Sequence, residues 1–65
     1  MTVHDVIAER VEKRGISIAE LSRRVDMSSE LLRRSLNGDR KLTATELIAL
    51  CEELEMTLDD FKQAA

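Results

Sequence analysis

Residues 17–38 have the sequence S-I-A-E-L-S-R-R-V-D-M-S-S-E-L-L-R-R-S-L-N-G, which predicts two short helices joined by a tight turn. Ser17 and Glu20 match a capping box, in which a hydroxyl and a carboxylate each satisfy an unbonded backbone N–H group at a helix start. Leu21 and Val25 lie four residues apart, the spacing that places two apolar side chains on one helix face. The first half of this segment therefore predicts an amphipathic helix.

The second half of the segment predicts another helix of similar length. The helical period breaks after Val25, and Ser28 or Ser29 can cap a new helix. Leu32 and Leu36 give this helix its apolar stripe. The glycine that closes the segment adopts a left-handed backbone conformation more easily than other residues, so we expect the helix to end there. Two helices this short, joined by so few residues, are typical of a helix-turn-helix.

The remainder of the chain also predicts helices. Residues 2–5 resemble a capping box with Asp in place of Glu, and the helix that they begin should end at Arg14-Gly15. Residues 43–46 predict the start of a further helix. The apolar stripes of these two helices comprise Val3, Val6, Ile7 and Val11 in one, and Leu47, Leu50, Cys51 and Leu54 in the other.

A short fifth helix is expected from residue 57, with Leu58 and Phe61 facing inward. No segment alternates polar and apolar residues as a half-buried strand would. The predicted fold is therefore all-α: a compact five-helix bundle in a single domain, residues 1–65, with a helix-turn-helix unit at about 17–38.

Composition limits the class of protein. The chain has 65 residues, 43% of them hydrophobic and 35% charged, which suits a folded globular domain. One cysteine excludes an internal disulfide, and the longest apolar run, residues 47–51, is far too short to cross a bilayer. These features predict a cytoplasmic protein without a membrane segment.

The net charge of −3 hides an uneven distribution. Residues 21–41 carry six basic and three acidic side chains, whereas residues 42–65 carry one basic and six acidic ones. Positive charge is thus concentrated on the predicted helix-turn-helix. Local field matters more than net charge for binding a polyanion, although the acidic end should lower non-specific affinity. A solvated charged surface on any helical protein is an equally good explanation of the charge alone.

The ordered set of motifs resembles the lambda-repressor and Cro-like (Xre-type) helix-turn-helix family over nearly the whole chain. The resemblance implies sequence-specific binding of double-stranded DNA, usually as a dimer, to control transcription. The residues that carry it are Gly15-Ile16-Ser17, Glu20-Leu21, Val25, Met27-Ser28, Leu32, Leu36-Asn37-Gly38, Arg40-Lys41, Leu47, Leu50-Cys51, Leu54-Glu55-Met56-Thr57-Leu58 and Phe61.

Two positions depart from the family pattern. Ile18 stands where members often carry a glutamine that holds a phosphate, which leaves Ser17 and the backbone N–H groups of this helix to position the phosphate. Asp26 stands where the turn commonly has glycine. Aspartate tolerates a left-handed conformation better than most residues, so we expect the turn to survive. Its negative charge near the DNA face should lower affinity.

The resemblance places the front of the second helix of the helix-turn-helix unit against base edges. Arg34 is the strongest candidate for direct readout, because an arginine can bond the O6 and N7 atoms of guanine together. Leu31 has two interpretations: an exposed side chain that packs on a thymine methyl group, or a core residue in a slightly rotated helix. The predicted base-reading residues are Ser28, Ser29, Glu30, Arg33 and Arg34.

The resemblance also implies contacts with the sugar-phosphate backbone. Glycine permits close approach of a loop to the backbone, and cations supply the complementary charge. Asn37-Gly38 could instead be a plain helix stop, and Arg40 and Lys41 could be solubilising loop charges. The predicted phosphate-binding residues are Ser17, Arg24, Asn37, Gly38, Arg40 and Lys41.

The sequence gives little support for an enzyme. His4 and Cys51 are the only residues of their kinds and do not have metal-ligand spacing. The chain contains no glycine-rich phosphate loop and no cofactor motif. We therefore predict a protein that is not an enzyme and needs neither a metal ion nor a cofactor.

Two function classes remain. The first is a DNA-binding transcriptional regulator, most simply a repressor. The second is a protein-interaction module or antitoxin-like partner protein that keeps the fold but binds DNA weakly or not at all. Phe61, on the terminal helix, suggests a homodimer that would place two reading helices about 34 Å apart. It could instead close the core of the monomer.

Overall fold

Four α-helices and a single 3₁₀ turn make up the fold. The structure is a computed structural model that describes residues 1–62. The all-α prediction is confirmed for these residues, but the count of five helices is not confirmed, because the segment predicted as a short fifth helix forms one 3₁₀ turn. The elements are α1 (Val3–Arg14), α2 (Ile18–Arg24), α3 (Ser29–Leu36), α4 (Ala44–Glu53) and the 3₁₀ helix Leu58–Phe61.

Side-chain caps fix the starts of the four α-helices. Thr2 takes part in a complete capping box, as predicted, and Thr43 starts α4 with another one. Ser28, rather than its neighbour, caps α3 and accepts a hydrogen bond from the N–H of Leu31 at 3.1 Å. The capping box predicted at α2 is only half formed. The Ser17 hydroxyl accepts a hydrogen bond from the backbone N–H of Glu20 at 3.1 Å. The Glu20 carboxylate, however, pairs with Arg23 and Arg24 and not with the backbone N–H of Ser17.

Left-handed residues end the helices. Gly15 and Gly38 have φ of 68° and 86°, as expected for glycines after a helix. Asp26 has φ of 56°, so the turn between α2 and α3 survives without glycine, as predicted. Here the N–H of Met27 donates to the carbonyl of Ser22 at 3.0 Å, which is the 6→1 hydrogen bond of a Schellman motif.

Glu55 ends α4 in the same way, with φ of 55°. A left-handed conformation costs a residue with a Cβ atom roughly 1–2 kcal/mol. A carboxylate at the negative end of a helix dipole is a further disadvantage.

We therefore expect Glu55→Gly to raise the free energy of unfolding by about 0.5–1 kcal/mol, measured by urea unfolding. The ion pair that Glu55 makes with Arg14 is exposed and worth little. The matched control is Glu9→Gly, in the exposed middle of α1, which should lower stability by about 1 kcal/mol. Destabilisation by both substitutions would contradict the account.

The core joins all four α-helices. The side chains of Ile7, Leu21, Leu32 and Leu50 are completely buried. α3 packs against both α1 and α2, and the 3₁₀ turn packs against α1. α3 is thus packed on two sides, and its remaining face is exposed to solvent.

The C-terminal segment corrects one expectation. Phe61 packs against the core and is half-buried, in agreement with the monomer-closing interpretation. Leu58 was expected to face inward but is 89% exposed. Met56, which follows the left-handed residue at the end of α4, is buried and occupies the core beside Phe61. Leu58 lies between these two anchors and points outward.

Candidate nucleic-acid interface

α3 has one buried and one exposed face. Leu32 and Ser35 are completely buried, and Leu36 is partly buried, as the predicted stripe requires. The outward face carries both polar and apolar side chains. Its exposed residues are Glu30, Leu31, Arg33 and Arg34.

Two serines at the start of α3 are occupied within the protein. The Ser28 hydroxyl caps the helix. The Ser29 hydroxyl lies 3.0 Å from that of Ser22, which donates to the carbonyl of Ala19 at 2.8 Å. Ser29 is therefore part of the contact between α2 and α3. Base reading by these serines stays a prediction, and it would use the remaining hydrogen-bonding capacity of each hydroxyl.

Arg40 is bound inside the protein. Its guanidinium donates to both carboxylate oxygens of Glu46 at 2.9 Å and to the Ser35 hydroxyl at 2.9 Å. The two charged side chains are only 25% and 20% exposed. Glu46 also accepts from the N–H of Thr43 at 2.9 Å. We call Arg40, Glu46 and Ser35 the loop clamp, because they tie the loop after α3 to the start of α4.

The loop clamp also explains a buried serine. Ser35 has no exposed surface, yet its hydroxyl donates to the carbonyl of Leu31 at 2.8 Å and accepts from Arg40. Both hydrogen-bonding roles of the hydroxyl are satisfied, so the burial cost of a polar group is offset.

Hydrogen bonds from the Arg40 guanidinium, and secondly from the N–H of Thr43, lower the pKa of Glu46 from 4.5 to about 2. A carboxyl whose pKa falls on folding adds stability that is complete above its unfolded pKa and lost as pH falls through its folded pKa.

We expect the stability advantage of the wild type over Glu46→Gln to be constant above about pH 5 and to shrink between pH 4.5 and 2. Urea unfolding at a series of pH values measures this difference. An advantage that did not change over that range would show that the carboxylate charge contributes nothing.

Arg24, a predicted phosphate-binding residue, is held by two acids. It lies 3.4 Å from a carboxylate oxygen of Glu20 and 3.3 Å from one of Glu53. Both acids are partly exposed, and pairs of this kind are weak. A phosphate contact by Arg24 stays a prediction and would require exchange of these partners.

Ion pairs account for most of the basic side chains. Of the ten lysines and arginines, seven pair with an acid within 4.0 Å. Within residues 1–62, the three that make no ion pair are Arg33, Arg34 and Lys41. All three are exposed, and all three belong to α3 or the loop after it. We call them the interface cations.

The loop after α3 lies beside the start of α1. A Cβ atom added to Gly38 would lie 2.7 Å from the Nε2 atom of His4. His4, Gly38 and Lys41 line one shallow groove. Asn37, just before the glycine, is exposed and caps α3 through its N–H group. The positive φ therefore favours glycine at residue 38, and the imidazole of His4 occupies the space where a Cβ atom would lie.

Sequence reasoning missed three supporting residues: His4, Ser35 and Glu46. His4 and Gly38 are distant in the chain, and no sequence signal joins them. A serine in the apolar stripe of α3, followed five residues later by an arginine, was a weak signal for a buried polar contact.

The described part of the chain offers no other binding chemistry. In residues 1–62, no three His, Cys, Asp or Glu side chains are placed to hold a metal ion. None of the helices in that range has the length and apolar character needed to span a membrane. Burial raises the pKa of the Cys51 thiol, so this cysteine is not an activated nucleophile.

Comparison with models of known protein families gives a match over most of the chain. A family model for the Cro/C1-type HTH DNA-binding domain matches residues 6–62, nearly the whole chain. No curated protein and no solved structure matches the chain significantly.

Proposed function

The chain belongs to the family of Cro/C1-type helix-turn-helix DNA-binding domains, and on that premise we propose that it is a sequence-specific repressor of transcription. In this proposal α3 enters the major groove of double-stranded DNA and occupies a promoter. α2 lies across the sugar-phosphate backbone.

The observation that carries the proposal is the position of the interface cations. Every other lysine and arginine has an acidic partner inside the protein, as far as residues 1–62 are concerned. A polyanion is the natural partner for exposed cations that the fold leaves without an ion pair on one helix and its loop.

The proposed roles follow from chemistry and position. Arg34 bonds guanine, and Glu30 accepts from the amino group of cytosine. Lys41 contacts phosphate, together with the backbone of Asn37 and Gly38 and the hydroxyl at the start of α2, Ser17. Arg33 lies beside Arg34 and reaches either a base or a phosphate.

Arg40 has a different role in this proposal. Its guanidinium is committed to Glu46 and Ser35, so it positions the loop rather than binding phosphate. Gly38 and Lys41 depend on it indirectly, because the loop clamp fixes the segment that contains them.

Selection from a random duplex library tests the proposal. We expect a consensus to emerge, and the logarithm of its binding constant should fall against the logarithm of salt concentration by about 0.9 per phosphate neutralised. A two-fold symmetric consensus would indicate that two copies bind.

The protein-interaction alternative predicts different results. Failure to enrich any duplex, while circular dichroism shows the protein folded, would exclude DNA recognition. Binding to a protein partner with little dependence on salt would then support the alternative.

A further inference from the structure

Leu31 is the apolar residue on the outward face of α3. It is 38% exposed, whereas the next residue, Leu32, is completely buried. The structure therefore excludes the core interpretation of Leu31, because Leu32 occupies the core position and Leu31 does not. Leu31 is also not among the partly buried side chains that pack against the core.

The backbone of Leu31 is held firmly on both sides. Its N–H donates to the hydroxyl of Ser28 at 3.1 Å, and its carbonyl accepts from the hydroxyl of Ser35 at 2.8 Å. Ser35 in turn belongs to the loop clamp. The side chain thus projects from a fixed position on the exposed surface.

The charges around Leu31 restrict what it can contact. Arg33 and Arg34 lie two and three residues further along the same helix and are both interface cations, and the exposed acid Glu30 lies directly before Leu31. An apolar side chain beside two unpaired guanidinium groups suits a partner that is anionic but offers a small apolar group. The major groove of DNA has such a group, because thymine carries a methyl group at C5.

We propose that Leu31 packs on the C5 methyl group of a thymine in the operator. The proposal rests on the function proposed above. Leu31 and Arg34 are three residues apart, about 4.5 Å along the helix axis at 1.5 Å per residue. Base pairs are spaced about 3.4 Å apart. The two separations are of similar size, so we expect the thymine to lie close to the base pair that Arg34 contacts.

Replacement of single thymines by deoxyuridine tests this contact, since it removes only the methyl group. In the duplex selected by the wild-type protein, one such replacement should weaken wild-type binding about 3- to 10-fold. This range includes the roughly four-fold value expected for one buried methyl group. Leu31→Ala should bind the thymine and deoxyuridine duplexes equally well.

Ile48→Ala is the matched control, because Ile48 is an exposed apolar residue on α4. This variant should keep the wild-type preference for thymine. Thermal unfolding checks that both variants are folded, which we expect because both side chains are on the surface and alanine favours a helix.

The outcomes separate the two proposals. Tight wild-type binding with no thymine-to-deoxyuridine effect would overturn the assignment of Leu31 and leave the DNA-binding function intact. If Leu31→Ala kept the full preference for thymine, the assignment of Leu31 would likewise be overturned and the DNA-binding function would stand. Absence of binding to every duplex would overturn both proposals.

Discussion

Replacing Arg40 with methionine is expected to lower the midpoint of thermal unfolding by roughly 10 °C, even with no DNA present. The substitution keeps much of the apolar stem but removes three hydrogen bonds, two to Glu46 and one to Ser35. It also leaves the Glu46 carboxylate, which is only 20% exposed, without its cation. An ionised group left in that position is costly to the folded state.

The geometry explains why this pair should matter when most surface pairs do not. A guanidinium that meets both oxygens of a carboxylate gives two parallel charge-assisted hydrogen bonds. Glu46 is also fixed by the N–H of Thr43, so little side-chain freedom remains to be lost. The pair therefore differs from exposed pairs, which contribute little.

Arg23→Met provides the matched control. Arg23 pairs with Glu20 at 2.8 Å, but the arginine is 70% exposed. We expect its replacement to shift the midpoint by no more than about 3 °C. The double variant Arg40→Met with Glu46→Gln should regain part of the loss, because the unpaired charge is gone. Equal shifts for Arg40→Met and Arg23→Met would contradict the structural role of the loop clamp.

The second large effect is expected at Arg34. Arg34→Ala should weaken binding to the selected duplex by about 1–3 kcal/mol, or roughly 5- to 150-fold, and relax the preference at one base pair. The reason is that a guanidinium bound to guanine distinguishes that base from the other three. Fluorescence anisotropy with the consensus and with duplexes changed at single positions measures both effects.

Lys41→Ala should behave differently from Arg34→Ala. A phosphate contact carries no sequence information, so its loss should weaken binding to all duplexes alike and make the salt dependence less steep. If Arg34→Ala weakened every duplex by the same factor, Arg34 would be reassigned to the phosphate contacts.

Local patterns were sufficient to predict the helices and their ends. Caps and left-handed residues act over three to five positions, so Thr43 and Gly38 could be assigned from their neighbours, and the cap of α3 could be narrowed to Ser28 or Ser29. The left-handed Asp26 followed in the same way from the short polar side chain of aspartate. The resemblance to a known family supplied the order of the helices and the candidate site.

Contacts across the fold could not be predicted from these patterns. The Ser22–Ser29 contact and the loop clamp each depend on how two helices pack, which periodicity does not specify. Arg40 was therefore predicted to bind phosphate, while its side chain is committed to Glu46. Leu58 was placed in the core because it is apolar, but Met56 and Phe61 already fill that region.

The acidic partners of most lysines and arginines could not be identified from the sequence either. Charge counts showed an excess of positive charge over residues 21–41. The structure shows that Arg33, Arg34 and Lys41 are the basic residues of that range without an ion pair, because the other arginines in it are paired. Substitution of these three cations is therefore the most direct test of DNA binding by α3 and its loop.

Two triple variants with the same change in net charge provide that test. One replaces the interface cations, Arg33, Arg34 and Lys41, with glutamine. The other replaces three well-exposed cations that have acidic partners, Lys13, Arg23 and Lys62.

The measurement is the affinity of both variants for the selected duplex at one salt concentration. We expect the first variant to lose at least about 100-fold in affinity, since each phosphate or base contact contributes separately, and the second to lose only a few-fold through net charge. Equal losses, or a larger loss for the second variant, would show that α3 and its loop are not the surface that meets DNA.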